Sequence, residues 1–293
     1  MIWSKRNILF HWDADRPLQI LLATLALASA AVLLLIVAFL LIEAWPVVNN
    51  GHWRAFFTDQ SWYPLEGQFG LLPMLWGSMA IMAGAMLLAA PLGLAAAIFA
   101  SFYASGLLLK AYRMLMALLA GMPSVVLGLW GLTVLVPLIA AWQPPGASLL
   151  AAMLVLALMI VPTIALAGAS ALAAVPENLM TGAAALGMCR RSQIMKIALP
   201  AARHGIWSAM LLAIARALGE TMVVLMVAGN VVQYPHGLFE PVRALTANIA
   251  LEMGYAMEDH RAALFTSGLM LTLIVLLLAW LAGAVAKRQL QHV

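Results

Sequence analysis

Residues 174–205 read AVPENLMTGAAALGMCRRSQIMKIALPAARHG, a basic hairpin between two long apolar runs. Pro176 suits a first helical position, Glu177 suits the positive end of the helix dipole, and Gly187 suits a left-handed cap. Pro200 is expected to stop a second short helix. Four cations, Arg190, Arg191, Lys196 and Arg203, fall within these residues. On the N-terminal side no charge occurs from Met114 to Pro176, and on the C-terminal side His204 to Phe239 is interrupted only by Arg216 and Glu220.

The same alternation continues outward from the hairpin. Leu18 to Ile42, Leu71 to Leu109 and Ala262 to Ala286 carry no charged residue. A spanning helix needs about 20 apolar residues to cross a hydrocarbon core of about 30 Å. The run from Met114 is too long for one crossing, and WQPPGAS, residues 142–148, is a turn signal that divides it. Six spans result, in an all-α polytopic membrane protein. Composition agrees: 65% of the 293 residues are hydrophobic and 9% charged, far from the soluble norm.

Lys and Arg mark the cytoplasmic side of short loops. With both termini inside, eleven of the 15 lie there (Lys5, Arg6, Arg16, Lys110, Arg113, Arg190, Arg191, Lys196, Arg203, Lys287 and Arg288), Arg54, Arg243 and Arg261 lie outside, and Arg216 is in the membrane. The net charge of +4 therefore reflects topology and lipid contact, not nucleic-acid binding. A hairpin tethered between two spans is also poorly placed to offer a recognition helix to DNA. The first apolar run is longer than a signal peptide's core and reads as a retained anchor. Cys189 is the sole cysteine, so it supports neither an internal disulfide nor a cysteine metal site. The six histidines show no ligand spacing.

Helix one is expected from about Arg16 to Ile42, after a cytoplasmic tail at 1–16. The outer segment that follows is rich in Trp and Phe, as in a headgroup-level belt. Pro91 and Pro123 should kink or interrupt helices two and three. The outer loop QYPHGLFEPVRALTANIALEMGYAMEDHR, residues 233–261, is amphipathic and has room for a short re-entrant or interfacial helix.

The hairpin resembles the coupling loop of ABC importer permeases, in which Glu-Ala-Ala, three residues, Gly and nine residues precede Ile-x-Leu-Pro. Gly187, Ile197, Leu199 and Pro200 keep that pattern, whereas Thr181 and Gly182, followed by Ala183, occupy its start. The glutamate of the motif is thus replaced by Thr181. WYPLEGQFGLLPMLWGSM, APLGLAAAIF, GMPSVVLGLWGLTVLVPL, RALGETMVVLMVAGN and LTANIALEMG together narrow the resemblance to the PstC phosphate permease family. It implies the MetI-like fold of type I importers, with a transmembrane domain over 17–293, a permease core at about 67–285 and a coupling loop at 175–200. It also implies a bacterial inner-membrane location and four kinds of partner: a PstB-like ABC ATPase dimer, a PstA-like second permease, a PstS-like external phosphate-binding protein and the lipid bilayer. Gly-Lys occurs nowhere in the chain, so it has no P-loop. ATP and Mg belong to the partner ATPase, and no cofactor is expected on this chain.

Arg216 lies thirteen residues beyond Arg203, about 20 Å of helix, near the bilayer's middle. An arginine there costs about 2.5 to 3.5 kcal/mol on insertion scales and should face the bundle or a wet cavity. Glu220 follows one helical turn later. Two readings stand open: a structural ion pair, or an anion site in which Glu220 holds the guanidinium until an oxyanion takes its place. In the second reading Ser124, Thr221 and Asn230 are further candidate contacts, and a helix broken at Pro123 would free backbone N–H groups. Phosphate import is the leading function. Another oxyanion such as tungstate, molybdate or sulfate, or a membrane sensor of phosphate status, remain as alternatives. An intramembrane hydrolase is disfavoured, since His-Glu-x-x-His and Gly-x-Ser-x-Gly are both absent.

Overall fold

A computed structural model describes residues 16–49, 55–59 and 61–290. The expected tail before Arg16 and the outer residues Trp53 and Arg54 lie outside the described residues. Among the described residues the chain's regular structure is helical apart from one small hairpin and an isolated parallel bridge between Gly229 and Val242. It runs α1 (Arg16–Asn49), α2 (Ala55–Thr58), β1 (Trp62–Tyr63), β2 (Gln68–Phe69), α3 (Leu72–Ile98), α4 (Gly106–Gly121), α5 (Ser124–Trp130), α6 (Val136–Ala140) and α7 (Leu149–Ala173), followed by α8 (Glu177–Ala185), α9 (Arg190–Gln193), α10 (Leu199–Gly219), α11 (Met222–Val227), α12 (Leu245–Glu252) and α13 (Glu258–Leu290). Five helices are long and apolar enough to cross a bilayer, at Arg16–Val47, Leu72–Tyr103, Leu149–Ala173, Arg190–Gly219 and Glu258–Trp280. The sixth span expected from the sequence falls on the pair Gly106–Gly121 and Ser124–Ala140, which together are long and apolar enough but bent by 93° at Met122 and Pro123. Proline at 123 lacks the N–H needed to continue the ladder and forces Met122 into extended backbone.

Helix α7 is the centre. Most of its apolar length is enclosed, and α3, α4, α5, α10 and α11 all pack against it. Lipid supplies no hydrophobic drive between helices, so close packing of small residues has to hold them together. Gly84 of α3 lies against Met153, Gly93 against Ile164 and the Val161 carbonyl, and Gly168 of α7 against Ala97. Buried Ala85 and Ala89 continue the α3 side of this seam. Helix α1 is peripheral. It packs on α13, where Phe39 meets Phe265 edge-on with ring centroids 5.5 Å apart.

Three sequence expectations need correction. Pro200 does not end a helix: Arg190 to Gly219 is one continuous helical stretch. Residues Ile194–Ala198 form a π-helical turn just before the proline. The carbonyl that Pro200 would crowd, four residues back, is that of Lys196, inside this turn, so the widened register absorbs both the clash and the missing donor. The same device recurs at Pro137, whose crowded carbonyl is that of Thr133 inside the π turn Gly131–Leu135. Second, helix five is not continuous through the apolar run but breaks between Gly219 and Met222. Third, the outer aromatics are not all a headgroup belt. Phe56, Trp62 and Phe69 are buried against Leu245, Ala263 and Leu264, while Trp45, Phe57 and Tyr63 are exposed. The expected short helix of the second outer loop is α12, which is mostly buried.

Gly93→Val should force α3 and α7 apart. A Cβ at this position stands 2.7 Å from Ile164 Cβ and 3.2 Å from the Val161 carbonyl oxygen, so overpacking of about 1–3 kcal/mol is expected. Thermal unfolding in detergent should show a midpoint several degrees lower, and an unchanged midpoint would contradict the packing described.

Candidate functional site

Two helix breaks lie side by side. Helix α10 ends at Gly219, and Glu220 adopts extended backbone before α11 begins. Helices α5 and α11 pack in parallel: Gly128 faces Val223 and Met222, and Gly131 faces Val227. That register sets the first residue of α5, Ser124, and the break at Pro123 level with the break at Gly219–Thr221. Ser124, Glu220 and Thr221 therefore share one level of the fold, with Arg216 in the turn of α10 just before the break. All four are half-buried.

The ion pair considered for Arg216 and Glu220 is absent. The turn that would stack them on one helical face is broken at Gly219. The Glu220 carboxylate instead accepts the Val223 N–H at 3.3 Å, covering one open donor of α11. The Glu220 carbonyl accepts Thr246 Oγ1 at 3.1 Å. Thr221 Oγ1 donates to the Gly219 carbonyl at 3.4 Å. Among the described residues Arg216 makes neither a hydrogen bond nor an ion pair. It sits in the last turn of α10, where the helix's negative end favours a cation.

Asn230 does not join this group. It lies beyond α11 with φ 56°, where its amide donates to the Leu225 carbonyl at 2.7 Å and its backbone carbonyl accepts Arg243 Nε at 2.9 Å. It belongs to a second cluster that sequence reading did not assemble, on the side away from the basic hairpin, which the topology expected from the sequence makes the outer one. At its centre Glu252 accepts Arg243 Nη1 at 2.7 Å and Trp62 Nε1 at 2.7 Å, and lies 2.9 Å from His260 Nε2. Arg243 Nη1 also reaches Asn248 Oδ1 at 3.0 Å. Trp62, Asn230, Arg243, Glu252, Tyr255 and His260 line a cavity of about 810 Å³. The tyrosine is held above its usual pKa first by desolvation and then by the Glu252 carboxylate, with Arg243 opposing. The available signal was Arg243 and Glu252 as the two charges of the stretch 241–257; their partner Trp62 stands too far along the chain to pair by spacing. Helix α12 ties this cluster to the break, because Glu252 ends it while Thr246, near its start, holds Glu220. Leu245 N–H in turn donates to Ser78 Oγ of α3 at 2.9 Å.

On the opposite side, α8 and the head of the α9–α10 rod form the hairpin read from sequence. Gly187 is left-handed at φ 74°, and its N–H closes on the Ala184 carbonyl at 2.9 Å while Met188 N–H closes on Ala183 at 3.2 Å. Ala183 is buried, Ile197 and Leu199 are half-buried, and Thr181, Gly182 and Pro200 are exposed. The Thr181 hydroxyl donates to the Glu177 and Asn178 carbonyls of its own helix at 3.1 and 3.2 Å, so it does not reproduce a projecting carboxylate. Among its exposed residues, which include Glu177, Arg191 and Lys196, the hairpin also presents apolar ones: Leu186 is 83% exposed and Leu179 45%. Arg190 clamps it to the end of α3, donating to the Phe102 carbonyl and lying 5.3 Å from the Tyr103 ring centroid. Cys189 is solvent-facing and its pKa is lowered, chiefly by its hydrogen bond with the Ser192 side chain.

Residues 89–291 match the family described as binding-protein-dependent transport system inner membrane component. A probable ABC transporter permease protein, YqgH of Bacillus subtilis, is 39% identical over 249 residues, covering 81% of this chain and 80% of that protein. The phosphate transport system permease protein PstC of Mesorhizobium japonicum is 33% identical over 272 residues, covering 83% and 82%. That of Haemophilus influenzae is 30% identical over 275 residues, covering 86% and 87%. Among solved structures, an inward-facing MetNI methionine ABC transporter chain aligns with TM-score 0.61 and 19% identity over 74% of this chain and 95% of that one. A bacterial ABC transporter involved in alginate import aligns with TM-score 0.58 and 14% identity over 93% and 99%. At such identities the structural likeness speaks for the fold, which is that of ABC importer permeases.

Glu252→Ala should leave Trp62 Nε1 without its acceptor and Arg243 without its counter-charge in a mostly enclosed site. Removing one partner of such a pair costs about 3–5 kcal/mol. A clear drop in thermal midpoint of the detergent-solubilised protein is expected; wild-type stability would show that the cluster does not hold the outer side together.

Proposed function

The chain belongs to the family of binding-protein-dependent transport system inner membrane components, and from that premise we propose that it is the transmembrane subunit of an ATP-driven importer of inorganic phosphate. Names of its relatives support the substrate class. The observation that carries the site is Arg216, a half-buried guanidinium without a partner among the described residues, at a helix break level with a second break. A phosphate bound there would take two parallel N–H···O bonds from the guanidinium, and the hydroxyls of Ser124 and Thr221 lie at the same level to complete its contacts. Glu220 shapes the break by capping α11 and does not act as a competing anion. Asn230 supports the outer cluster and is not assigned to the phosphate.

Transport needs a path for mechanical work. The hairpin offers Leu179 and Leu186 to a PstB-like ATPase dimer on the cytoplasmic side, which supplies ATP and Mg. The stretch Arg190–Gly219 is then a rod of about 45 Å, at 1.5 Å per residue, running from the hairpin to the turn that carries Arg216. Displacement of the hairpin by closing ATPases displaces the guanidinium, and alternating access follows if the release side opens at the same time. A PstA-like second permease faces the polar breaks across the membrane, a PstS-like binding protein delivers phosphate to the outer side, and both termini are cytoplasmic in the bacterial inner membrane.

Arg216→Lys keeps the charge and loses the fork. Losing one charge-assisted bond, worth about 1.5–3 kcal/mol, should lower uptake of labelled phosphate into vesicles by roughly ten- to a hundredfold, with the complex still assembled. Uptake at the wild-type rate would remove Arg216 from the site. Competition by excess tungstate or sulfate as effective as that by phosphate would overturn the substrate assignment.

A further inference from the structure

A cavity of about 610 Å³ opens between the end of α3, α4 and the last turns of α7. It lies on the hairpin side of the molecule, since Leu172 and Ala173, which line it, lead directly into α8. Its walls are largely apolar, with Phe102, Leu109, Leu166 and Leu172 among them, and Arg113 stands in its lining. Lys110 is on the same helix one turn earlier. Both cations are exposed, and neither has a hydrogen bond or ion pair among the described residues. Ser101 and Ser170 add hydroxyls to the lining. Tyr112, which also lines the cavity, has a hydroxyl sealed from solvent with no partner among the described residues. An orphaned buried hydroxyl is uncommon in a native protein and calls for a missing partner.

We propose that this cavity binds the headgroup phosphate of an anionic phospholipid from the leaflet on the hairpin side. Arg113 and Lys110 neutralise the phosphate, the Tyr112 hydroxyl gains an acceptor after a small rotation, and the apolar walls receive the start of the acyl chains. The charge decides against a zwitterionic lipid. Arg113 in the lining, Lys110 one turn away on the same helix and no carboxylate in the lining favour a net negative headgroup, and basic pockets between membrane helices on the cytoplasmic side are suited to such lipids. The apolar walls decide against free phosphate, which would gain nothing from them. The site is separate from the Arg216 break and does not depend on which substrate is transported.

The test is native mass spectrometry of the assembled, detergent-purified complex, counting retained lipids after addition of phosphatidylglycerol or phosphatidylcholine of matched chain length. Phosphatidylglycerol should be retained on at least one site where phosphatidylcholine is lost. Arg113→Gln should weaken that retention about tenfold, and the near-isosteric Tyr112→Phe should weaken it less while leaving assembly intact. Equal retention of the two lipids, or unchanged phosphatidylglycerol retention in Arg113→Gln, would overturn the proposal. Displacement of phosphatidylglycerol by millimolar inorganic phosphate would overturn it in favour of a free-phosphate site.

Discussion

The close approach of α3 to α7 is the contact on which the other helices depend. Small residues, Gly84, Gly93, Ala85 and Ala89 on one side and Gly168 on the other, let the two backbones meet where lipid offers no hydrophobic drive. Once α3 covers one flank of α7, its other flanks are left for α10, α11, α4 and α5. The two broken helices are held by the same principle, since Gly128 and Gly131 let α5 approach α11 and α7. A bundle held this way tolerates interruptions in its outer helices, because the register is set by steric fit at a few small residues and not by an unbroken apolar stripe.

Those interruptions fall into two physical kinds. At Pro137 and Pro200 a π turn takes up the proline and the helix goes on. At Pro123 and at Gly219–Thr221 it does not, and the chain bends or restarts. The first kind preserves rods, the second exposes backbone and polar side chains at one level. Irregular backbone inside a membrane is tolerated only where protein or a wet cavity surrounds it, and two breaks at one level share that enclosure. The rod that survives Pro200 connects that level to the hairpin, and the buried helix α12 connects it to the outer cluster through Thr246 and Glu220. Both faces of the molecule are therefore joined to the neighbourhood of Arg216 by a hydrogen-bonded or helical link.

The outer cluster gives this arrangement a firm side. Glu252 accepts from Arg243 and Trp62 and contacts His260, joining the first hairpin, the loop before α12 and the start of α13 around one carboxylate. Charge-assisted bonds in an enclosed site are strong, and here they brace segments that contain little regular structure of their own.

Much of this was legible in the residues. The membrane class, the six crossings and the hairpin with its left-handed Gly187 follow from features that act locally: bilayer thickness sets the length of an apolar run, and a backbone position sets its demand for glycine. The positions of Arg216 and Ser124 near helix breaks were also within reach, because an intramembrane charge and an intramembrane proline are each conspicuous in an apolar run. The partnerships were not. Arg216 and Glu220 look like a pair at helical spacing, yet the break at Gly219 separates them; Trp62 and Glu252 meet although 190 residues apart; Pro200 lies within a continuous helical stretch, with a π turn before it. In helices apolar on every side, no stripe announces which face meets which neighbour, so the sequence determined what crosses the membrane, while side-by-side packing of small residues, which only the tertiary structure contains, decided which polar groups come together.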